Sequence, residues 1–269
     1  ALQIHRRTIG AGVARGRREP LEIPGLGHKD PLPMGVKIGG MVYSSVIGGQ
    51  DPKTGKQIEG AEQQIEQAFE NMRALIEQAG GTTANIAHVW VFLRERGDQP
   101  AMVKTWLKMF PQDGDRPARK TVMYDELKGR ETLIQLQFTA VLKGRRENFE
   151  IPGVGHHDPI PMGAKIGKLL FSSGIGGYDP KSGERAQGLE RQVEFAFENA
   201  RALVEQAGGK LDNIGHVTVL IRDYGAMAAV TKKWRELFPQ ENNQPAQHVM
   251  TLGLTGENLV QLHVVAVLR

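Results

Sequence analysis

One block of sequence occurs twice in this chain, as IPGLGHKDPLPMGVKIG at 23–39 and as IPGVGHHDPIPMGAKIG at 151–167. The same landmarks follow each copy in the same order. Ser44-Ser45 returns as Ser172-Ser173, DPKTG at 51–55 as DPKSG at 179–183, FENMRALIEQAGG at 69–81 as FENARALVEQAGG at 197–209, and FPQ at 110–112 as FPQ at 238–240. Solenoid units run to about 20–45 residues, so a repeat this long is a whole domain. The chain is a tandem duplication, and one fold must serve both copies.

With 269 residues, 40% of them hydrophobic and 24% charged, the chain can bury two ordinary cores. The expected organisation is a basic N-terminal arm over 1–22, a first domain over 23–143, a short polar linker over 144–150 and a second domain over 151–269. The chain contains no cysteine, which excludes disulfides, thiolate chemistry and cysteine-held metal and suits a cytoplasmic protein. No apolar run is long enough for a membrane span and the N-terminus has no signal-peptide core, so no membrane partner is expected. The arm carries His5, Arg6, Arg7, Arg15, Arg17 and Arg18 with no acid up to residue 18. Such an arm can meet nucleic acid or wrap a neighbouring subunit; with no aromatic residue to stack on a base, the second is the expectation and nucleic acid is not.

Within each copy the pattern predicts ββαβαββ. VKIGGMVYSS at 36–45 places β-branched and aromatic residues around a Gly-Gly turn signal, and AKIGKLLFSS at 164–173 repeats it. The DPKTG and DPKSG stretches are turn chemistry and lack the Gly-Lys-Ser/Thr order of a phosphate loop. Apolar residues from Ala61 to Ala79 recur by threes and fours, as do those from Leu189 to Ala207, and Gly-Gly closes each helix. Strands follow at 85–94 and 213–222, then helices ending in Phe-Pro, then two strands at roughly 119–124 with 132–142 and 247–252 with 259–268.

The last strand alternates. Ile134, Leu136, Phe138, Ala140 and Leu142 point to the helices, while Gln135, Gln137, Thr139 and Val141 face solvent or a partner's sheet; Gln261, His263, Val265 and Val267 repeat that outward set. A mixed surface of this kind suggests sheet-to-sheet assembly with a polar pocket at the seam. The preceding strand reads RPARKTVMY in one copy and QPAQHVMTL in the other, so Arg116, Arg119 and Lys120 become Gln244, Gln247 and His248. A guanidinium there can grip a substrate carboxylate through two charge-assisted hydrogen bonds, or pair with an acid across the seam.

This combination of a Pro-rich lip, Ser-Ser, DPKTG-type turn, helix ending in AGG, PAR segment and alternating last strand resembles the Rid family (reactive intermediate deaminases, the YjgF group). The resemblance covers about 23–142 and 151–268. It implies an α+β, chorismate-mutase-like fold whose modules join in threes, sheets inward and helices outward, with ligand clefts between neighbours; the expected assembly is a homotrimer. It also implies hydrolysis of a reactive enamine or imine carboxylic acid, with release of ammonia and with neither metal nor organic cofactor. Carried over residue by residue, Arg119 anchors the carboxylate, Ser45 and Val46 or Ser173 and Gly174 line the pocket, and Gln247 stands where the second copy has lost its arginine.

Departures from the family pattern shape the expected chemistry. The water-positioning glutamate of the last strand is Gln137 in one copy and His263 in the other, and the aromatic residue of the lip is Leu32 and Ile160. An amide can orient a water but cannot take its proton, whereas an imidazole can. His28 with Asp30, and His156 with Asp158, offer a histidine beside a carboxylate as a replacement base, or merely a satisfied turn before proline. The PIPMG lip and the DRPAR loop look closest to an aminomuconate-like branch, so the expected substrate is an aminomuconate-like compound or a 2-imino acid. Two other readings remain open: a binding protein for a carboxylated metabolite, and an endoribonuclease-like activity. Open too is whether first modules pair with first modules or with second ones.

Overall fold

The computed structural model describes residues 16–27 and 31–269, so His28, Asp30 and most of the basic arm lie outside the described residues. The first module runs β1 (Glu19–Leu21), β2 (Gly35–Ile38), β3 (Met41–Ser44), β4 (Ile47–Gly48), α1 (Ala61–Gln78), β5 (Ile86–Leu93), α2 (Gln99–Met109), β6 (Ala118–Met123) and β7 (Ile134–Val141). The second repeats it as β8 (Arg146–Phe149), β9 (Gly163–Ile166), β10 (Leu169–Ser172), β11 (Ile175–Gly176), α3 (Leu189–Gln206), β12 (Ile214–Ile221), α4 (Met227–Leu237), β13 (Ala246–Thr251) and β14 (Val260–Val267).

Each module is an α+β unit built on one seven-stranded sheet. The order is β1-β2-β3-β7-β5-β6 in the first and β8-β9-β10-β14-β12-β13 in the second, with β4 on β7 and β11 on β14. β5 and β6 are parallel, as are β12 and β13, which leaves β6 and β13 as edge strands. The apolar face of α1 (Ile65, Phe69, Met72, Leu75, Ile76) is fully buried on Ile134, Leu136, Phe138 and Ala140 of β7, the set that the alternation assigns to the helices. Each such side chain contributes about 1.5–3 kcal/mol on burial.

The lip is held in place by the turn repeated after it. Gly153 has φ 77°, and a Cβ there would lie 1.8 Å from the Pro180 carbonyl oxygen. Gly25 meets Pro52 in the same way. The IPG and DPK motifs are therefore two halves of one contact, which is why both are kept in both copies.

Each sheet begins ahead of the residues read as its domain. β1 comes from the arm and pairs with β2, and β8 comes from the linker and pairs with β9. The segment 144–150 is thus mostly a sheet strand rather than a free connection. Its Arg146, almost fully buried, reaches back into the first module. There it donates to the carbonyls of Ile86 (2.6 Å) and Asp115 (2.7 Å), meets the Asp115 carboxylate at 3.1 Å and lies over the Phe110 ring. One residue of the second sheet is therefore riveted to the first module.

Removing that rivet leaves buried carbonyls unpaired. Arg146→Ala is expected to cost about 3 kcal/mol in urea unfolding of the whole chain; a change under about 0.5 kcal/mol, ordinary for a surface position, would contradict it.

Candidate active site

The two modules of one chain pack first against second. Ala87 of β5 and Ala118 of β6 join Ala164 and Ile166 of β9 and Phe171 of β10 in a small apolar core between the sheets. His88 and Trp90 of β5 pack against His263 of β14, with ring centroids 4.3 and 5.2 Å apart. Edge strand β6 consequently runs along the second module's lip.

Arg119 sits in the middle of that contact and is 1% exposed. Its Nη2 donates to Asp158 Oδ2 at 2.5 Å, its guanidinium lies 4.7 Å from the Trp106 ring centroid, and its backbone N–H donates to Ser173 Oγ at 3.0 Å. Ser173 Oγ in turn donates to the Pro161 carbonyl at 2.6 Å, and the Trp106 indole N–H donates to the Pro159 carbonyl at 3.2 Å. Three consecutive parts of the lip are thereby gripped by the first module or by the serine bound to it. Burial lowers the Arg119 pKa, and the Asp158 carboxylate opposes that shift. Of the two roles that the sequence leaves open for this arginine, pairing with an acid across the seam is the one seen.

Between β6 and the lip lies a cleft of about 250 Å³. Lys120 and Thr121 line it from the first module, and His156, Gly174, Asn258 and Gln261 from the second. Lys120 Nζ donates to Gln261 Oε1, and burial pulls the ammonium pKa down to about 8. His156 is pushed down to about 4, mainly by burial and then by the Lys120 charge, so its imidazole is neutral near pH 7. Among the described residues Arg119 Nε, Thr121 Oγ1, His156 Nε2 and Asn258 Oδ1 are buried without a protein hydrogen-bond partner, and all four belong to cleft-lining residues. Buried polar atoms of this kind pair with water or with a ligand, so a group of them on one cleft marks a polar site.

The predicted residues divide. Arg119, His156 and Gly174 line the cleft, with Ser173 buried beneath it. Gln137 is exposed on the first sheet, away from the cleft lining. His263 is buried against His88 and Trp90, its pKa brought to about 3 by burial first. Ser45 and Val46 stand at the equivalent lip of the first module and Gln247 on the outer side of β13, both faces uncovered by the described residues. His28 lies outside the described residues. Asp158 gives its carboxylate to Arg119 and Gln99 rather than to His156. Arg116 is structural, since its Nε donates to the Phe110 carbonyl and Gln244 makes the same bond to Phe238. Sequence reasoning missed Lys120, Gln261 and Asn258 as cleft residues; the Lys120-to-His248 difference was the available signal.

A family model described as Endoribonuclease L-PSP matches residues 29–142 and again 161–267. A RutC family protein of Aquifex aeolicus is 32% identical over 117 residues, 40% of this chain and 92% of its own length. A 2-iminobutanoate/2-iminopropanoate deaminase of Salmonella typhimurium is 32% identical over 84 residues, 31% of this chain and 66% of that protein. Among solved structures, the YjgF gene product from E. coli aligns with 46% of this chain and 99% of its own at 25% identity and a TM-score of 0.43.

The seam's histidines make the fold acid-sensitive. His88, His156 and His263 are held neutral when folded but take protons below about pH 6.5 when unfolded, so stability falls as pH drops from about 6.5 toward the folded values. Each contributes a slope of up to about 1.4 kcal/mol per pH unit. Urea unfolding at stepped pH should show this loss, shallower in His263→Gln; parallel slopes for the two proteins would contradict it.

Proposed function

The chain belongs to the endoribonuclease L-PSP family, in its Rid (YjgF) group, once in each module, and on that premise we propose that the cleft between its modules hydrolyses a small imine or enamine carboxylic acid to an oxo acid and ammonia. A 2-imino acid or an aminomuconate-like compound is the substrate class. The observation that carries this reading is the set of four unpartnered polar atoms around a cleft rich in cations. Among the described residues, Arg96, Arg119 and Lys120 line it with one carboxylate, Asp158, already bound to Arg119. Its volume of about 250 Å³ lies below the range of about 300–1,000 Å³ usual for drug-sized ligands and suits a small acid. The relative from Salmonella typhimurium, named for deamination of 2-iminobutanoate and 2-iminopropanoate, supports the same class.

In this reading the substrate carboxylate takes the place of Asp158 on Arg119, and the Asp158 carboxylate marks its position. The neutral His156, with Nε2 free, accepts a proton from the attacking water, and Gln261 orients that water. An enamine is first protonated on carbon to the imine. Water addition gives a carbinolamine, and its collapse expels ammonia.

Further copies of the chain, in the homotrimer that the family resemblance implies, would cover the faces still bare. Tyr43 of the first module is 45% exposed whereas its counterpart Phe171 is 6% exposed, and Gln247 and His248 are exposed where Arg119 is buried. Because first and second modules already face each other within a chain, this pairing does not generate rings of one module type.

One specific observation favours a second reading, a binding protein without turnover: the last-strand positions that would manage water, Gln137 and His263, are outside the cleft. Ammonia release from a 2-imino acid generated in situ separates the two. Arg119→Ala is expected to lose about 100-fold in kcat/KM, the equivalent of one charged hydrogen-bonded contact of about 3 kcal/mol. Asp158→Asn should keep activity with an equal or lower KM. Wild-type protein that binds 2-oxobutanoate through Arg119 but releases no ammonia would establish the binding reading instead.

A further inference from the structure

We propose that Lys120 is the nucleophile of this cleft, its amine forming an imine with the substrate carbon and releasing ammonia before water enters. The inference rests on the deaminase reading above and names the covalent step within it.

Lys120 lies on the edge strand β6, half-buried, with Nζ on the cleft wall beside Gly174. A Cβ built on Gly174 would come 3.3 Å from Nζ, so the glycine keeps space open in front of the amine. Among the described residues its polar partner is the amide oxygen of Gln261, and the nearby carboxylate, Asp158, is held by Arg119. An amine withdrawn from water and hydrogen-bonded to a neutral amide rather than to a carboxylate is the setting that favours the neutral, nucleophilic form. The lowered pKa of about 8 agrees with that setting. Among the described residues, the one carboxylate lining the cleft, Asp158, is engaged by Arg119 rather than free to activate water for a first attack, and a neutral lysine needs no such base. At the matching position the second module has His248, whose imidazole cannot form this imine.

The step balances. The Lys120 lone pair forms an N–C bond to the imine carbon while the C=N π pair moves to the substrate nitrogen. Both protons of the lysine nitrogen pass in turn to the departing nitrogen, that C–N bond breaks, and ammonia leaves behind a neutral lysine-bound imine. Water then adds to the lysine-bound imine, with neutral His156 taking its proton. Collapse of the carbinolamine returns the Lys120 amine and frees the oxo acid, so the sum is imine plus water to oxo acid plus ammonia.

Run backwards, the last step lets an oxo acid form the same imine, which a hydride donor fixes. Whole chain incubated with 2-oxobutanoate and sodium cyanoborohydride, digested and mapped by mass spectrometry, should carry the reduced adduct at Lys120 well above any other lysine. Lys120→Arg should lose the adduct and most of kcat while keeping KM. Labelling spread evenly over the lysines, or full ammonia release by Lys120→Arg, would overturn the proposal and leave the deaminase reading standing. An adduct at Lys120 in protein that releases no ammonia supports the imine and removes the deaminase reading.

Discussion

A guanidinium buried where two sheets meet costs several kcal/mol of lost hydration unless it is both paired and hydrogen-bonded. Arg119 meets that demand with groups from both modules. Asp158 supplies the charge, Trp106 the ring face, and Ser173 accepts the backbone N–H of the same residue. The lip can lie along β6 because its carboxylate is wanted there. The placement of His156 and the opening of the cleft beside Lys120 follow from that position. In the second copy Gln247 carries no charge to bury, and its strand is left uncovered by the described residues.

Duplication let the two copies take different parts in one contact. The first contributes a cationic edge strand, and the second contributes the lip, Gly174 and Gln261. Ser45 donates to the Pro33 carbonyl just as Ser173 donates to Pro161, so the first module keeps a lip of the same build. Ser173 also receives the Arg119 N–H, whereas the face around Ser45 is left open by the described residues. The common scaffold is preserved in both halves, and among the differences are residues that meet at the seam, with Arg119, Lys120 and Trp90 answered by Gln247, His248 and Thr218.

Most of the fold was legible because its signals are local. The helical spacing at 61–79, the Gly-Gly turn at 39–40 and the alternation at 134–142 each reflect one element burying one face. The linker reads as polar by composition because RENF is short and opens with two adjacent charged residues, one buried and one exposed, so no alternation marks it as a strand. The cleft was only partly legible for a different reason. Neighbours on a strand point to opposite faces, so Arg119 and Lys120 are not expected to share a pocket. At an edge strand both faces border the seam, and the two side chains reach one cleft from either side. His263 was assigned by its match to a family position, but the packing of His88 and Trp90 against it, a non-local contact, keeps it out of the cleft.

Under the proposed function, both modules of one chain build a single carboxylate-binding cleft around Arg119. A crystal structure of the whole chain soaked with 2-oxobutanoate is the direct test. The ligand is expected between β6 and the second module's lip, with its carboxylate on Arg119 and Asp158 displaced. An undisturbed Arg119–Asp158 pair, with the ligand bound elsewhere or absent from this cleft, would contradict it.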